Sequence, residues 1–187
     1  MPVIANPAAA WLVRHARPLV AEGVCYGTSD IAADVADTER SARQLAADLP
    51  AGVQVWSSPL RRCLALADAL MLLRADLCYQ TDGRLAEMDF GCWEGQRWDD
   101  IPRDAMDEWM SGFQHVRFGG RESTQGLMDR VGAAWREARQ LELPWVWITH
   151  AGVMRAVLLH ARGVASVSQS ADWPRDRLEF GAALRIR

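Results

Sequence analysis

Two histidines follow short apolar segments of this chain and are the residues best suited to chemistry. Arg14 and His15 directly follow the apolar segment 9–13, and His150 directly follows the apolar segment 145–149. Because the carboxyl ends of parallel strands meet at one edge of an α/β sheet, we expect the two imidazoles to face one site. The arginine beside His15 indicates that the ligand of this site is an anion.

Further arginines strengthen the prediction of a phosphate ligand. Arg61 and Arg62 lie one turn into a predicted helix that follows a strand, and Arg17 follows His15 closely. Guanidinium groups and helix N-termini both bind phosphate oxygens. Positive charges also lower the pKa of a neighbouring histidine, so His15 is expected to be neutral and able to attack phosphorus. The residues therefore predict a phosphohistidine on His15, with arginines and His150 holding the phosphoryl oxygens.

A proton donor for the leaving oxygen is predicted at Glu87, within the segment 85–91. A carboxyl held beside a bound phosphate takes up a proton more readily than a free one. The same carboxylate is predicted to activate water once the leaving group has departed. Three other acidic residues compete for this role, namely Asp82, Asp89 and Glu94.

Composition excludes several other kinds of chemistry. All 21 basic residues are arginines, which removes Schiff-base lysines and the phosphate-binding lysine of P-loops. The net charge of −3 argues against nucleic acid or an acidic membrane as a partner. The four cysteines form no Cys-x-x-Cys pair, as expected for reduced thiols of a cytoplasmic protein. Residues 1–10 resemble neither a signal peptide nor a membrane span.

Histidine spacing gives no reason to expect a metal. None of the spacings typical of zinc ligands occurs, and His115 and His160 are predicted to be structural. We therefore expect no metal ion and no cofactor. The expected partner is a small phosphorylated metabolite, bound by a monomer or a homodimer.

Hydrophobic periodicity predicts alternating strands and helices. Strands are predicted at 9–13, 53–56, 77–80, 145–149 and 180–186, and helices at 36–49, 59–73, 121–141 and 152–161. The segment Ser57-Ser58-Pro59 is predicted to open the second helix, with serine as the N-cap and Pro59 as the first helical residue. This alternation predicts an α/β fold, a three-layer α/β/α sandwich with a mostly parallel central sheet, as one domain over 1–187. Residues 81–120, with an irregular helix at 97–110, are expected to cap the active site.

Five short motifs in this order resemble the histidine phosphatase superfamily, also called phosphoglycerate mutase-like. They lie at 14–16, 57–62, 85–95, 120–123 and 149–152, so the resemblance covers roughly residues 9 to 160. It implies a phosphoglycerate mutase-like fold and a histidine phosphatase activity. It also implies site roles: a nucleophile at His15, a proton donor at Glu87, and a phosphate pocket that includes Arg14, Arg62 and His150.

A narrower resemblance concerns two segments of the chain. Segments 23–30 and 88–95 resemble the α-ribazole phosphatases of cobalamin assembly. The chain departs from the superfamily pattern at Ala16, where Gly is usual, at Arg17, where Glu is frequent, and at Ala21, where Asn is frequent. With that asparagine replaced, the backbone N–H groups of Thr28 and its neighbours are predicted to supply the missing phosphate contact.

Three functions are compatible with these residues. The first is a metal-independent phosphomonoesterase that acts on a small metabolite such as α-ribazole 5′-phosphate. The second is a phosphoglycerate mutase-type phosphoryl transfer, and the third is a non-catalytic phosphate-binding module. Only 62 residues, 88–149, separate Glu87 from His150, whereas mutases of the family carry extra segments that exclude water. The short spacing favours hydrolysis.

Overall fold

A five-stranded sheet forms the centre of the protein. The computed structural model describes residues 9–186. The strands, in chain order, are β1 Ala10–Arg14, β2 Gln54–Ser57, β3 Tyr79–Thr81, β4 Trp145–Thr149 and β5 Ala183–Ile186. Their order across the sheet is β3-β2-β4-β1-β5. The first four are parallel, and β5 pairs antiparallel with β1 at the edge.

Helices cover both faces of this sheet. The helices are α1 Val35–Asp48, α2 Arg61–Leu73, α3 Arg103–Ser111, α4 Thr124–Ala138 and α5 Ala151–Ala161. Apolar residues of α1 and α2 pack on one face, and those of α4 and α5 pack on the other. The predicted three-layer α/β/α sandwich with a mostly parallel sheet is therefore confirmed.

Strand β4 shows why the core is two-sided. All five of its residues are buried. Trp145 and Trp147 point into the cluster formed with α4 and α5, whereas Val146 and Ile148 point into the cluster formed with α1 and α2. A strand covered by helices on both faces needs apolar residues at every position rather than at alternate ones. This burial fixes β4, and the end of β4 carries His150.

Two helices begin later than the sequence predicts. Helix α2 begins at Arg61 with Leu60 as its N-cap, so the prediction that Ser58 caps this helix and Pro59 opens it is wrong. The Ser58 hydroxyl accepts from the Leu60 N–H at 3.3 Å, before the first helical residue, and it also contacts His150 Nε2 at 2.8 Å. Helix α4 begins at Thr124, three residues after the predicted start, because the Ser123 hydroxyl caps it by accepting from the Gly126 N–H at 3.1 Å.

Residues 81–120 fold as short 3₁₀ turns around α3. The predicted helix over 97–110 is interrupted: a 3₁₀ turn occupies Trp98–Asp100, and α3 begins only after Pro102. Aromatic rings hold the segment together, and the Trp109 ring stacks on Phe118 with centroids 4.3 Å apart. The segment is thus irregular in backbone but packed in side chains.

Two further expectations concern the chain ends. The prediction that residues 1–10 are neither a signal peptide nor a membrane span concerns mostly residues outside the described range. Residues 1–8 and residue 187 of the predicted 1–187 domain also lie outside it. Within residues 9–186, no helix has both the length and the apolar character needed to cross a membrane.

Candidate active site

The two histidines lie side by side at the carboxyl edge of the sheet. Strands β1 and β4 are parallel neighbours, and Arg14 pairs with Thr149 in their register, so the next residue of each strand is a histidine. The His15 and His150 ring centroids are 5.1 Å apart, with the planes tilted by 57°. Both side chains are buried, at 1% and 0% exposure. The sheet therefore brings together two imidazoles that are 135 positions apart in the chain.

A hydrogen bond orients the His15 ring. Its Nδ1 lies 2.7 Å from the Ala16 carbonyl oxygen, which can only accept, so Nδ1 carries the proton. The other nitrogen, Nε2, then carries the lone pair. Burial, and after it the charge of Arg62, lowers the pKa of His15 to about 3. The ring is consequently neutral over the physiological pH range, with an unprotonated Nε2 that can act as a nucleophile.

Arg62 is a fully buried guanidinium at the start of α2. It donates to the Ser29 carbonyl at 2.8 Å and to the Gly27 carbonyl at 2.5 Å, which fixes both terminal nitrogens. Its Nε donates to His150 Nδ1 at 3.2 Å. A guanidinium has five N–H donors, so these bonds leave one N–H on each terminal nitrogen for an anion. Burial lowers the pKa of Arg62 from its usual value, although an arginine remains charged.

His150 is held by contacts at both ring nitrogens. Because Nδ1 accepts from Arg62, we assign the proton to Nε2, which then donates to the Ser58 hydroxyl at 2.8 Å. The Cys63 Sγ lies 3.4 Å from the same Nε2. Burial, and after it the proximity of His15, lowers the pKa of His150 well below its usual value. A phosphate oxygen would take the Nε2–H bond from Ser58 or share it.

Arg14 approaches the site from the end of β1. One terminal nitrogen donates to the Leu178 carbonyl at 2.7 Å, and the guanidinium lies 3.8 Å from the Phe180 ring centroid. Its buried Nε has no hydrogen-bond partner within residues 9–186. Since buried donors are rarely left unpaired, this N–H is available for an anionic ligand.

The Glu87 carboxylate lies against the N-terminus of α5, two residues beyond His150. Its Oε2 accepts from the Gly152 N–H at 3.0 Å, and its Oε1 accepts from the Met88 N–H at 3.0 Å. A Cβ at position 152 would lie 2.2 Å from Glu87 Oε1, so the carboxylate keeps this position only because residue 152 is a glycine. No cation pairs with Glu87 among the described residues.

The backbone around Glu87 is anchored from two sides. The Thr149 hydroxyl donates to the Leu85 carbonyl at 2.7 Å. Arg130, on α4, donates to the Ala86 carbonyl at 2.6 Å and to the Glu87 carbonyl at 3.1 Å. These bonds tie the loop to β4 and α4, which are both rigid elements. The carboxylate is therefore positioned by the sheet that carries His150.

The other acidic residues of this region are engaged elsewhere. Asp82 forms an ion pair with Arg84 at 2.7 Å, and Asp89 lies 3.3 Å from Arg121. Burial raises the pKa of Glu94, but hydrogen bonds from residues 28–29 and 90 outweigh burial and leave it below its usual value. Glu87 is thus the carboxylate best placed to exchange protons beside the histidines.

The Thr28 donors that are predicted to contact phosphate are bound to Glu94 in this structure. Its backbone N–H donates to Glu94 Oε1 at 2.8 Å, and its hydroxyl donates to the same oxygen at 3.0 Å. The N–H of the neighbouring Ser29 donates to Glu94 Oε2 at 2.5 Å. These donors are consumed by the carboxylate and are not directed at phosphate. The sequence could not show this, since Glu94 is 66 positions from Thr28.

Several residues of the site are not identifiable from the sequence. The ring of Tyr26 lies near the buried guanidinium of Arg62, with 5.4 Å between the guanidinium carbon and the ring centroid. Phe180 lies 5.5 Å from the His15 ring, centroid to centroid. Ser58 belongs to one of the five motifs, but its type and position predict a helix cap. No local sequence signal distinguishes such residues, because each acts through a partner distant in the chain.

The remaining histidines lie apart from this arrangement. His160 bonds the Met128 carbonyl at 2.8 Å, near the end of α5, and His115 is exposed. Over residues 9–186, no group of three or more His, Cys, Asp or Glu side chains is arranged to hold a metal ion.

Comparison with protein families agrees with this geometry. The model of the histidine phosphatase superfamily (branch 1) matches residues 10–173. The chain belongs to the histidine phosphatase superfamily. Phosphoryl transfer through histidine is the chemistry of this superfamily, and this chain is an enzyme of that class. No curated protein matches the chain significantly.

Solved structures similar to this histidine phosphatase include two from Thermus thermophilus. TTHB049 is 29% identical and covers 95% of this chain and 92% of its own, with a TM-score of 0.70. A phosphoglycerate mutase is also 29% identical over the same shares, with a TM-score of 0.69. The mycobacterial glucosyl-3-phosphoglycerate phosphatase Rv2419c, 23% identical over 85% of this chain and 81% of its own, has a TM-score of 0.72 and shows the fold alone.

Proposed function

We propose that this protein is a metal-independent phosphomonoesterase that forms a phosphohistidine on His15. The observation that carries the proposal is the fixed tautomer of His15. Its Nδ1–H is bound to the Ala16 carbonyl, which leaves the Nε2 lone pair beside Arg62 and His150. A nucleophile held next to phosphate donors removes much of the entropic barrier to attack on phosphorus.

In the first step, His15 Nε2 forms a bond to phosphorus and the bond to the ester oxygen breaks. Glu87 supplies the proton that this oxygen needs to leave as an alcohol. In the second step, Glu87 takes a proton from water while the water oxygen attacks the phosphohistidine. Inorganic phosphate leaves, and His15 returns to its starting state.

Charge on the transferred phosphoryl group is met by preorganised donors. Arg62 keeps one N–H on each terminal nitrogen, and Arg14 keeps its unpaired Nε–H. His150 contributes the Nε2–H that Ser58 otherwise accepts. Donors fixed by carbonyls and aromatic rings need no reorganisation during the reaction, which is the most effective form of electrostatic catalysis.

Within small phosphorylated metabolites, α-ribazole 5′-phosphate of cobalamin synthesis is the substrate that we favour. The two segments that resemble α-ribazole phosphatases pack directly on each other. A Cβ at Gly27 would lie 1.8 Å from the Met88 carbonyl, and Glu94 binds the backbone of residues 28–29. Segments 23–30 and 88–95 therefore form one structural unit, and this unit supports Arg62.

The test is the acid–base stability of the adduct formed with labelled phosphomonoester. A phosphohistidine survives alkaline quenching and is lost on acid quenching, and His15→Ala should abolish both the adduct and turnover. Chelators should leave turnover unchanged. Full turnover without any such adduct would overturn the mechanism.

Product analysis in the same assay distinguishes the alternatives. Release of inorganic phosphate is expected, whereas an isomerised phosphoglycerate would indicate a mutase. If wild-type protein and His15→Ala bind phosphorylated ligands equally and neither turns over any ester, the protein is a phosphate-binding module instead.

A further inference from the structure

The short segment 178–182, which leads into the edge strand β5, binds the residues that open the phosphate site. The Gly181 N–H donates to the carbonyl oxygens of Arg14 and His15, each at 3.1 Å. The Leu178 carbonyl accepts from a terminal nitrogen of the Arg14 guanidinium at 2.7 Å. This segment therefore holds Arg14 through its main chain and through its side chain.

The side chain of Phe180, in the middle of this segment, lies against both functional groups. Its ring centroid is 3.8 Å from the guanidinium carbon of Arg14 and 5.5 Å from the centroid of the His15 ring. Arg14 is half-buried, and a cation–π contact is stronger where water is partly excluded. The contact between Phe180 and Arg14 is thus placed where it stabilises one position of the guanidinium.

The carbonyl and the ring restrict different motions of the Arg14 guanidinium. The Leu178 carbonyl receives one N–H and so limits rotation of the group within its own plane. The Phe180 ring lies over the face of the guanidinium and limits its tilt. Together they hold the guanidinium in one orientation beside His15, before any phosphate binds.

Gly181 keeps the segment, and with it Phe180, in this position. Its φ of +70° belongs to the left-handed region, which favours glycine. A Cβ at position 181 would lie 2.0 Å from the Oγ of Ser41 on α1 and 2.8 Å from the Cβ of the same serine. Rotation of the serine side chain cannot relieve the second contact, so a larger residue at 181 must move the segment away from α1.

We propose that Phe180 is a positioning residue of the phosphate site, which holds the Arg14 guanidinium in the orientation that binds the phosphoryl group. The inference rests on the proposed phosphatase function and adds a residue that acts through Arg14. Phe180 lies outside the five sequence motifs, and segment 178–182 lies beyond residues 10–173, which the superfamily model matches. The superfamily motifs of this chain are therefore completed by a segment that they do not include.

Affinity for inorganic phosphate, measured by titration with phosphorus NMR, tests this role without turnover. Phe180→Leu should weaken phosphate binding by about 5- to 30-fold, as expected for the loss of a partly desolvated cation–π contact. Phe180→Tyr keeps an aromatic face and should bind within about twofold of the wild type. Trp11→Leu is the matched control, because the Trp11 ring on β1 also lies near an arginine, Arg185 on β5, at 5.5 Å. It should bind phosphate as the wild type does.

A double-mutant cycle shows whether Phe180 acts through Arg14. Arg14→Met leaves no guanidinium to position, so adding Phe180→Leu to it should change phosphate affinity by less than about twofold. An equal loss in both backgrounds would overturn the proposal, and so would wild-type affinity in Phe180→Leu. Thermal melts check that the proteins of the cycle fold, and Phe180→Met replaces Phe180→Leu if the leucine variant does not.

Gly181→Ala moves the segment and leaves the Phe180 ring unchanged. It should weaken phosphate binding by at least about threefold, because the guanidinium loses its fixed orientation. Gly163→Ala is the matched control, since Gly163 has a φ of +79° and a Cβ there would meet no described atom within 4 Å. It imposes similar backbone strain away from the site and should lower only the free energy of unfolding. Equal phosphate affinity in the two variants would contradict the proposal.

Turnover separates this inference from the proposed function. If the cycle couples Phe180 to Arg14 but no ester is hydrolysed and no phosphohistidine forms, the proposed function fails and the positioning role stands. If esters are hydrolysed through a phosphohistidine, kcat/KM for p-nitrophenyl phosphate should follow the same pattern across the variants. Hydrolysis without this coupling would overturn the positioning role alone. Absence of both phosphate binding and turnover in the wild type would overturn both.

Discussion

The carboxylate of Glu87 lies so close to the α-carbon of Gly152 that no side chain fits between them. Its Oε2 accepts the Gly152 N–H at 3.0 Å, and a Cβ on residue 152 would be 2.2 Å from Oε1. Since His150 precedes this glycine by two residues, one helix N-terminus positions both the second histidine and the proposed proton donor. The geometry of proton transfer is therefore tied to the geometry of phosphate binding.

Gly152→Ala is the direct test of this relationship. The added methyl group must displace the Glu87 carboxyl, so kcat for an alkyl phosphate should fall by about 10- to 100-fold, while the protein remains folded. Steady-state kinetics and a thermal melt measure the two effects. Gly126→Ala, on α4, is the matched control, because its Cβ would meet Glu122 at an ordinary 3.4 Å. Equal kinetics for both variants would contradict the proposed position of Glu87.

Glu87→Gln tests proton donation itself. An amide keeps the shape of the side chain but cannot transfer a proton, so the loss should depend on the leaving group. Alkyl phosphates should slow by about 10²- to 10⁴-fold, whereas p-nitrophenyl phosphate, whose leaving group needs no proton, should slow far less. Comparing kcat/KM for the two esters gives the result. A uniform loss would assign Glu87 another role.

Arg62→Lys tests the buried guanidinium. An ammonium cannot reach the Gly27 and Ser29 carbonyls and His150 together, so we expect a loss of at least about 3 kcal/mol in the free energy of unfolding. The kcat/KM should fall by about 100-fold or more because the phosphate loses the two N–H groups of the guanidinium. Urea unfolding and kinetics measure both. Arg61→Lys, next in the chain but exposed, should match the wild type.

Glu94→Gln tests the support of the loop that holds Arg62. The carboxylate accepts from the backbone N–H groups of Thr28, Ser29 and Phe90. It also accepts from the hydroxyls of Thr28 and Ser29. An amide nitrogen would face some of these donors, leaving at least one unsatisfied at a cost of about 1–3 kcal/mol. Chemical denaturation should show this loss of stability, and steady-state kinetics should show a raised KM. Glu142→Gln, at an exposed position, should show neither change.

The depressed pKa of His15 predicts sensitivity to acid. Below about pH 6.5 the unfolded chain protonates this histidine, whereas the folded protein protonates it only near pH 3. The unfolded state thus binds more protons in this window, and the free energy of unfolding falls as pH falls. His15→Asn should reduce the slope of the free energy of unfolding against pH by about 1.4 kcal/mol per pH unit between these two pKa values. Urea titrations at several pH values measure it.

The control for this experiment is a histidine outside the site. His115 is exposed, and His115→Asn should keep the slope of the wild-type protein. If His15→Asn has the same slope as well, the ring is not buried in its neutral form. His150 is expected to contribute a slope of the same sign, since burial also lowers its pKa.

How much the sequence predicts differs from residue to residue. Strand β4 and its histidine are predictable because an apolar run between turn residues needs no partner to be recognised. The start of α2 is not, because the Ser58 hydroxyl has two possible uses and only the folded chain brings His150 within 2.8 Å of it. The partner of Thr28 is unpredictable for the same reason, since only the folded chain brings Glu94 to its donors.

The sequence alone determined the layered α/β architecture and the superfamily, because these depend on periodicity and on short motifs. Tertiary structure decided which nitrogen of His15 carries its proton, which carboxylate remains available, and which N–H groups of Arg14 and Arg62 remain unpaired. Those properties depend on contacts between residues far apart in the chain. Local composition cannot encode such contacts, since each donor is assigned only when folding sets all its competing acceptors in place.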